Sequence, residues 1–211
     1  MIGCDCKTCS SPSTYNKRTR SSIYIDDGNS QILIDFGFDI KYQIVRENIK
    51  KLDAAILTHY HADHVSGIDN LRVFPFIQNK PLEIFSDHES IAKTTTCNKY
   101  LFTPEKLIAR SIGFFEKFTI KTIEIQCFKQ NHGPIDSLGL RIGDFVYSSD
   151  VLGFPEESKP FLKNIKIWVL DCVDYRANNT HAGLDKVLEW NDQFKPEQIL
   201  LTNMNHCIDY H

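Results

Sequence analysis

The chain has 211 residues, of which 42% are hydrophobic, and it carries 24 Lys and Arg against 27 Asp and Glu, for a formal net charge of -3. This length is enough for residues 1–211 to bury a sizeable core as one domain, and the near balance of charge argues against a binder of long nucleic acids. No segment reaches 18 consecutive apolar residues and the first thirty residues contain no apolar signal-peptide core, so we expect a cytoplasmic protein without a membrane span.

The first half of the chain alternates predicted strands and helices. The runs "SSIYID" and "SQILIDFG" are rich in β-forming residues and flank the turn sequence "DGN", which indicates a hairpin. Apolar residues at helical spacing predict a helix over "DIKYQIVRENIKKL". The run "AAIL" predicts a buried strand that ends at Thr58 and His59, and "PLEIFS" predicts another strand. A helix over "HESIAKTTTCNKYLF" should begin after Ser86 or Asp87 as its cap.

The second half is richer in strands. Three predicted strand regions come first, "FTIKTIEIQCF", "LGLRIG" and "FVYSS". A short helix near "PEESKPFLKNI", the strand "IKIWVLDCV", the helix "GLDKVLEWNDQF" and the strand "EQILLTNM" follow. Because both halves contain strands and helices, we expect a mixed α/β fold with a sheet-on-sheet core flanked by helices, rather than a doubly wound parallel sheet.

The most informative segment is "HYHADH", directly after the predicted strand "AAIL". Two histidines that are two residues apart on an extended chain point to the same side. A catalytic zinc commonly uses three protein ligands and keeps one position open, so four candidate ligands in six residues favour two neighbouring metal sites. The alternative is a solvated histidine-rich loop. The four candidates are His59, His61, Asp63 and His64.

Two further candidate ligands follow predicted strands in the second half. His132 lies in "QNHGP" and Asp150 lies in "VYSSD". Each residue also has an ordinary structural explanation, since histidine before Gly-Pro is common in turns and aspartate after a strand often caps a helix. Their common position at strand ends makes both candidates for metal binding.

With these residues in place, the sequence resembles the metallo-β-lactamase superfamily, whose signature H-x-H-x-D-H is complete at residues 59–64. The resemblance implies an αββα sandwich with a pair of metal ions at one edge of the two sheets. Asp35 in "LIDFG" matches the first motif, an aspartate that orients the ligand loop by hydrogen bonding. His132 and Asp150 match the third and fourth motifs, and an aspartate at the fourth is typical of the phosphodiesterase branches.

Softer motifs are similar to the PhnP-type cyclic phosphodiesterases, namely "GCDCKTC", "RTRSS", "SLGLRIGDFVYSSD", "THAGLDKVLEW" and "LTNMNHCIDY". Three of the seven cysteines fall in the first motif, too close together for easy mutual bridging and better suited to metal. The resemblance implies a structural zinc held by Cys4, Cys6, Cys9 and His206. The alternative is a frayed terminus with free thiols. The other four cysteines show no ligand spacing and are expected to be small core residues.

This chain departs from the PhnP-type pattern at Asn203, where those enzymes usually have a histidine that binds the second catalytic metal. Asparagine is a weak zinc ligand, so either the second ion is held loosely or His206 is recruited to it. Relatives also begin with a strand that precedes the cysteine motif. We therefore expect the sandwich to lack its first strand, and a homodimer formed through the exposed sheet edge is one remedy.

The resemblance implies hydrolysis of a small or cyclic phosphodiester by two divalent ions, zinc or manganese. His59, His61 and His132 would hold one ion, Asp63 and His64 the other, and Asp150 would bridge them. The expected catalytic residues are Asp35, Asp63 and His181, of which His181 in "NNTHAG" is the candidate general acid or else an ordinary helix-start histidine. The basic turn "NKRTRSS" either contacts phosphate or is simply solvated.

Two rival functions stay open from the sequence. The first is a nuclease or tRNA-processing enzyme of the same superfamily, although the basic arm of such enzymes is not evident here. The second is a non-catalytic metal-binding scaffold, which would resemble the coenzyme PQQ biosynthesis protein. The preferred partner is a small-molecule phosphodiester.

Overall fold

A computed structural model describes residues 1–210, which contain eleven strands in two sheets and six α-helices. The strands are β1 (Ile23–Asp26), β2 (Gln31–Ile34), β3 (Ala54–Ile56), β4 (Leu82–Ser86), β5 (Leu107–Ser111), β6 (Lys117–Ile120), β7 (Ile123–His132), β8 (Ile135–Ile142), β9 (Phe145–Ser148), β10 (Ile167–Asp171) and β11 (Gln198–Thr202). The helices are α1 (Lys7–Ser10), α2 (Ile40–Arg46), α3 (Ala62–Val65), α4 (Val73–Gln78), α5 (His88–Cys97) and α6 (Leu184–Phe194). The mixed α/β class with two sheets is therefore confirmed.

The first sheet has the strand order β1-β2-β3-β4-β5. Strands β1 and β2 form the predicted antiparallel hairpin, and Asp27 Oδ1 in its turn accepts from the backbone N–H groups of Asn29 and Ser30. The remaining neighbours are parallel, with Ile34 of β2 opposite Ile56 of β3. Because parallel strands end at the same edge, the residues that follow β2 and β3 leave the sheet side by side.

The second sheet has the order β11-β10-β9-β8-β7-β6, in which β9, β10 and β11 are parallel. Ser148 of β9 pairs with Leu170 of β10, and Asp171 pairs with Thr202 of β11. The carboxyl ends of three neighbouring strands therefore lie together. This register places three polar residues at one sheet edge, namely Asp150, Asp171 and Asn203.

By its internal contacts the chain forms two compact units, which we call the terminal and central units. The terminal unit comprises Met1–Thr19, Lys129–Gly139 and the chain from Asp144 to the last described residue, and the central unit comprises Arg20–Phe128 and Leu140–Gly143. Strands β7 and β8 contribute residues to both units. Whether the whole chain behaves as one domain stays a prediction.

Each unit has its own apolar core. The central core packs β2 to β5 against the helices that flank them, with Leu33, Phe36, Ile40, Leu52, Ala55, Leu57, Ile68, Leu71, Phe74, Leu82, Ile84, Leu101 and Leu107 among its buried members. In the terminal unit, Trp168 of β10 contacts Phe154 and, on α6, Trp190 and Phe194, with ring centroids 5.7, 6.4 and 5.9 Å away. These aromatic contacts seat α6 on the sheet and so fix the segment that precedes it.

Several helices differ from the sequence predictions in extent or type. Helix α2 ends at Arg46 rather than Leu52, because Asn48 adopts a left-handed conformation with φ of 52°. Ile49 and Leu52 are nevertheless buried, so the apolar spacing was correct about the core. Helix α5 begins after Asp87 as expected, and the Asp87 carboxylate accepts from the first turn. The segment Glu156–Leu162 is a 3-10 helix.

The first strand among residues 1–210 is β1, and the chain before it forms α1 and a 3-10 turn at Thr14–Asn16. None of the helices in this part of the chain combines the length and the apolar character needed to cross a lipid bilayer.

Candidate metal centres

The central unit carries the contiguous ligand candidates immediately after β3. His59 and His61 leave the strand end, and α3 begins directly afterwards, which turns Asp63 and His64 back over the same place. The ring centroid of His59 lies 4.6 Å from that of His61 and 4.4 Å from that of His64. His59 and His64 are buried, His61 is half-buried, and the Asp63 side chain is 50% exposed. Three imidazoles thus converge just after β3.

Asp35, directly after β2, orients this loop from beneath. It is fully buried with φ of 59°, and its Oδ2 accepts from His64 Nδ1 at 2.8 Å. Its Oδ1 accepts from the backbone N–H of Thr58, and the Thr58 hydroxyl donates to the same carboxylate at 3.0 Å. The hydroxyl oxygen lies 3.1 Å from His59 Nδ1 and accepts from it.

These contacts test whether the residues suit a metal ion. Metal-binding histidines commonly donate one ring N–H to an outer carboxylate, hydroxyl or carbonyl, which fixes the tautomer and presents the other nitrogen to the ion. His59 and His64 both use Nδ1 for such a bond, so Nε2 is the atom each presents. The loop therefore fits a divalent metal in donor type and in tautomer.

The loop is held close to the β2–α2 turn by Gly37. A Cβ atom at this position would collide with the backbone oxygen of Asp63. The backbone N–H of Phe36 also donates to His64 O at 2.7 Å. Only glycine permits this approach, which keeps Asp63 and His64 against the turn that contains Asp35.

The terminal unit contributes His132 at the end of β7 and Asp150 just after β9. The Nδ1–H of His132 donates to the carbonyl of Thr180 at 2.7 Å, so this histidine also presents Nε2. That Nε2 atom lies 3.4 Å from Asp150 Oδ2. Two ligands of one tetrahedral zinc are separated by about 3.4 Å, because each lies about 2.0–2.1 Å from the ion. Both side chains are buried, and their separation fits two ligands of the same ion.

Asp150 is fixed by a polar network. It has φ of 50°, its Oδ1 accepts from Ser149 Oγ and from Asn203 Nδ2, both at 2.9 Å, and its carbonyl accepts from Ser137 Oγ. Asn203 itself has φ of 62°. Non-glycine residues with positive φ are uncommon and persist only where their surroundings hold them. The side-chain amide of Asn203 thus holds the Asp150 carboxylate in place.

His181 lies between β10 and α6, and its Nδ1–H donates to Asp171 Oδ2 at 2.9 Å. The other contact of that oxygen is the backbone N–H of Val151 at 3.0 Å. Burial raises the pKa of the Asp171 carboxyl above its ordinary value, while the bond to His181 opposes this effect. Sequence reasoning missed Asp171. Its place at a strand end, like that of Asp150, was the available signal.

The cysteine quartet, defined as Cys4, Cys6, Cys9 and His206, is assembled within the terminal unit. All four ligand atoms lie within 4.8 Å of one another, and His206 Nδ1 is 3.5 Å from Cys4 Sγ and 3.4 Å from Cys6 Sγ. Three sulfurs and one imidazole make a donor set suited to structural zinc. The backbone N–H of Cys9 and the imidazole of His206 lower the pKa of the Cys6 thiol to about 6, which favours the thiolate that binds metal.

The remaining cysteines divide into two kinds. Cys127 and Cys172 are buried, and burial raises the pKa of their thiols to about 12 and about 11, as expected for core residues. Cys97 and Cys207 are exposed, so the prediction of a core position was wrong for them. Their neighbours in sequence, Thr96 and Asn98 for Cys97 and His206 for Cys207, are largely polar, which was the available signal of exposure.

The basic turn near the amino terminus bonds to the protein itself. Arg18 donates to the carbonyls of Asn205 and Ile208, Lys17 donates to the carbonyl of Cys9, and Arg20 pairs with Asp39. Arg18 thereby anchors the segment that carries His206. These bonds favour a structural role over phosphate binding.

Comparisons with known proteins identify the family of this chain and relatives of several activities. Residues 30–204 match the family model described as "Beta-lactamase superfamily domain". An octanoyltransferase of Porphyromonas gingivalis is 26% identical over 98% of this chain and 43% of its own length. Ribonuclease Z of Staphylococcus epidermidis is 43% identical over 61 residues, which is 26% of this chain and 20% of that protein. The chain thus spans less than half the length of these curated relatives.

A solved structure matches over most of both chains. The crystal structure of a diphosphatase from the PhnP family superposes with a TM-score of 0.92 at 27% identity, covering 98% of this chain and 82% of that chain. The predicted mixed α/β fold of the metallo-β-lactamase type is therefore confirmed.

Proposed function

Because the chain belongs to the β-lactamase superfamily domain family and has the metallo-β-lactamase fold, a family of metal-dependent hydrolases, we propose that it hydrolyses small or cyclic phosphodiesters. The observation that carries this proposal is its likeness to a diphosphatase along nearly the whole chain. Asp150, an aspartate held by Asn203 and Ser149, is consistent with the phosphodiesterase branches of the superfamily. The family assignment indicates a metal-dependent hydrolase, and the proposed substrates are small or cyclic phosphodiesters.

We propose that His59, His61 and His132 hold one divalent ion, that Asp63 and His64 hold a second, and that Asp150 bridges them. Bound there, zinc or manganese ions would supply Lewis acidity that neutralises charge on phosphoryl oxygens. The protein's part is to hold each histidine ligand in one tautomer. Asp35 does so for His64 by a direct hydrogen bond and for His59 through the Thr58 hydroxyl.

His181 is the proposed proton donor to the leaving alkoxide. Its Nδ1–H donates to Asp171, so Nε2 is the atom that would carry the transferable proton. Its Nε2 is 3.9 Å from Asp150 Oδ2, which puts the donor beside the proposed bridging ligand. Asp171 does not meet the substrate in this scheme and acts as a positioning residue for His181.

The test is hydrolysis of bis-p-nitrophenyl phosphate by purified protein with added manganese or zinc. We expect turnover, and we expect His61→Ala to abolish it by removing a ligand. His88→Ala, which removes an exposed histidine on α5 outside both ligand sets, is the matched control and should retain activity. Absence of turnover with every divalent metal would overturn the proposal.

The same preparation separates the alternatives. Cleavage of precursor tRNA without cleavage of small diesters would favour a nuclease, and cleavage of an octanoyl thioester alone would favour acyl chemistry. Elemental analysis of protein purified without chelator should find about three metal ions per chain, two in the histidine and aspartate sites and one zinc in the cysteine quartet. Zinc in the quartet alone would favour a scaffold.

A further inference from the structure

A cavity lies in the central unit between α5 and the ligand loop. Its volume is about 430 Å³, which is within the size range of small-molecule sites. We call it the α5 cavity, and it is lined by Tyr60, Val65, Ala92, Lys93, Thr94, Thr96, Cys97 and Asn98. Aromatic, aliphatic, methyl and thiol groups therefore form much of its wall.

Two residues join the cavity to the ligand loop. Tyr60 lies between His59 and His61 in the sequence, and its ring centroid is 5.4 Å from that of His61. Val65 directly follows His64. A group bound in the α5 cavity would consequently sit next to the loop that presents the proposed metal ligands.

The polar groups of the wall narrow the chemistry of the occupant. The Lys93 ammonium is 3.5 Å from the centre of the Tyr60 ring and 2.7 Å from Glu89 Oε1, so its charge is already balanced. Thr94 is only 3% exposed, and its hydroxyl oxygen has almost no accessible surface, so it offers no polar contact to the cavity. The wall thus suits an uncharged, largely apolar group.

We propose that the α5 cavity binds the apolar ester group of the substrate, of about the size of an aromatic ring, and so sets specificity for aryl over small alkyl diesters. This inference rests on the proposed function, since it assigns a subsite to the same substrate. The ester group would pack on Tyr60 and Val65 while the phosphoryl group lies at the ligand loop. Burial of a ring should favour an aryl substrate by about tenfold or more.

The kinetic test compares phenyl p-nitrophenyl phosphate with methyl p-nitrophenyl phosphate. Both substrates release the same leaving group, so they differ only in the group assigned to the cavity. Ala92→Trp should fill the cavity from an exposed position on α5 and lower the phenyl-to-methyl ratio of kcat/KM about tenfold relative to the parent. His88→Trp, which places the same residue at an exposed position of α5 that does not line the cavity, should leave the ratio unchanged.

Cys97→Phe provides a second filling variant from another part of the wall, and thermal unfolding of each variant checks that it folds. If one filling variant fails to fold, the other decides. Hydrolysis of both substrates with a ratio that neither filling variant alters would overturn the cavity assignment while leaving the proposed function intact.

A binding measurement keeps the two proposals distinguishable if no turnover occurs. Calorimetric titration of the metal-containing protein with phenylphosphonate and methylphosphonate should show about tenfold tighter binding of the phenyl compound, and Ala92→Trp should remove the difference. That result without hydrolysis would support the cavity and reject the phosphodiesterase. Equal binding of the two phosphonates, or no binding of either, would overturn the cavity assignment.

Discussion

The histidine ligands and the cysteine quartet differ in how the protein orients them when no metal is bound. His59, His64 and His132 are buried, and each has its Nδ1 bonded to a neighbouring oxygen. The quartet side chains are half-buried, and the contacts of Cys4 and Cys6 are largely with other members of the quartet. The protein therefore sets the orientation of the first group before metal arrives, whereas an ion in the quartet would itself hold the ligands together.

This difference predicts where damage should appear. Loss of an outer hydrogen-bond partner should impair the histidine site although every ligand remains. Loss of a quartet ligand should impair stability although catalysis remains.

Asp35→Ala removes the carboxylate that orients His64 and, through Thr58, His59. We expect kcat/KM on bis-p-nitrophenyl phosphate to fall by about 100-fold, with weaker metal retention, because outer partners commonly contribute 10–100-fold and two ligands depend on this one. Asp69→Ala, at an exposed carboxylate of the same unit, should have no such effect. Unchanged metal content and activity in Asp35→Ala would break the comparison.

Asp171→Ala should remove the acceptor that fixes the His181 tautomer. Because proton donation matters most for a poor leaving group, we expect about a tenfold fall in kcat for an alkyl phosphodiester and little change for a p-nitrophenyl ester. Asp171→Glu should restore part of the loss by returning the acceptor. An equal fall for both esters would indicate a purely structural role for Asp171.

Asn203→His restores the residue type that PhnP-type relatives usually have. If Asn203 keeps the second ion loosely bound, this change should tighten it by about tenfold, the size of effect expected for an altered ligand environment, and raise the metal count at limiting zinc. Equilibrium dialysis against a zinc buffer measures this. No change in stoichiometry would show that Asp63, His64 and Asp150 already suffice, or that His206 is engaged.

Cys6→Ser should release one zinc per chain and lower the melting temperature by on the order of 5 °C, while kcat stays within about twofold. Asp5→Asn, at an exposed neighbour of the quartet that supplies no sulfur ligand, is the matched control. Retention of the catalytic metal ions would support separate roles for the quartet and the histidine ligands. A fall in activity proportional to the lost zinc would contradict separate roles.

The smallest expected effect concerns pH in metal-stripped protein. The pKa of the folded Cys6 thiol is lowered from 9.0 to about 6, so the thiolate favours the folded state above the unfolded value. That contribution decreases as pH falls below the unfolded value and is lost as pH falls through about 6. Urea unfolding of the parent and of Cys6→Ser at pH 5 to 9 measures it. A stability difference that does not vary with pH would contradict the assignment.

Sequence reasoning was most successful where chemistry is contiguous. The string "HYHADH" could be interpreted from spacing alone, because β3 places two histidines on one side and α3 turns the next two ligands back. His206 was identified only through the resemblance to known enzymes. His132 and Asp150 were candidates from their positions at strand ends, although a turn residue and a helix cap can occupy the same positions. The parallel register of β9 and β10 supplies the information that distinguishes these alternatives.

The failures have local causes. Helix α2 was predicted too long because the apolar spacing continues past Asn48, although its left-handed backbone ends the helix. The short helices α1, α3 and α4 were missed because each is too brief to show a period. Strand β5 was missed because its sequence, LIARS, does not alternate apolar and polar residues. Asp171 was missed because a partner of a candidate acid is defined by distance in space, and β10 brings it to His181 from ten residues away.

The quartet joins residues that are 202 positions apart in the case of Cys4 and His206. An ion held there would turn nearly the whole chain into a covalently anchored ring, and ring closure of this length limits the freedom of the unfolded polymer. Since the ribosome makes His206 almost two hundred residues after the thiols, the site can form only once that length of chain has been synthesised. Scarcity of zinc would then lower the amount of folded protein before it lowered the activity of molecules that had already folded.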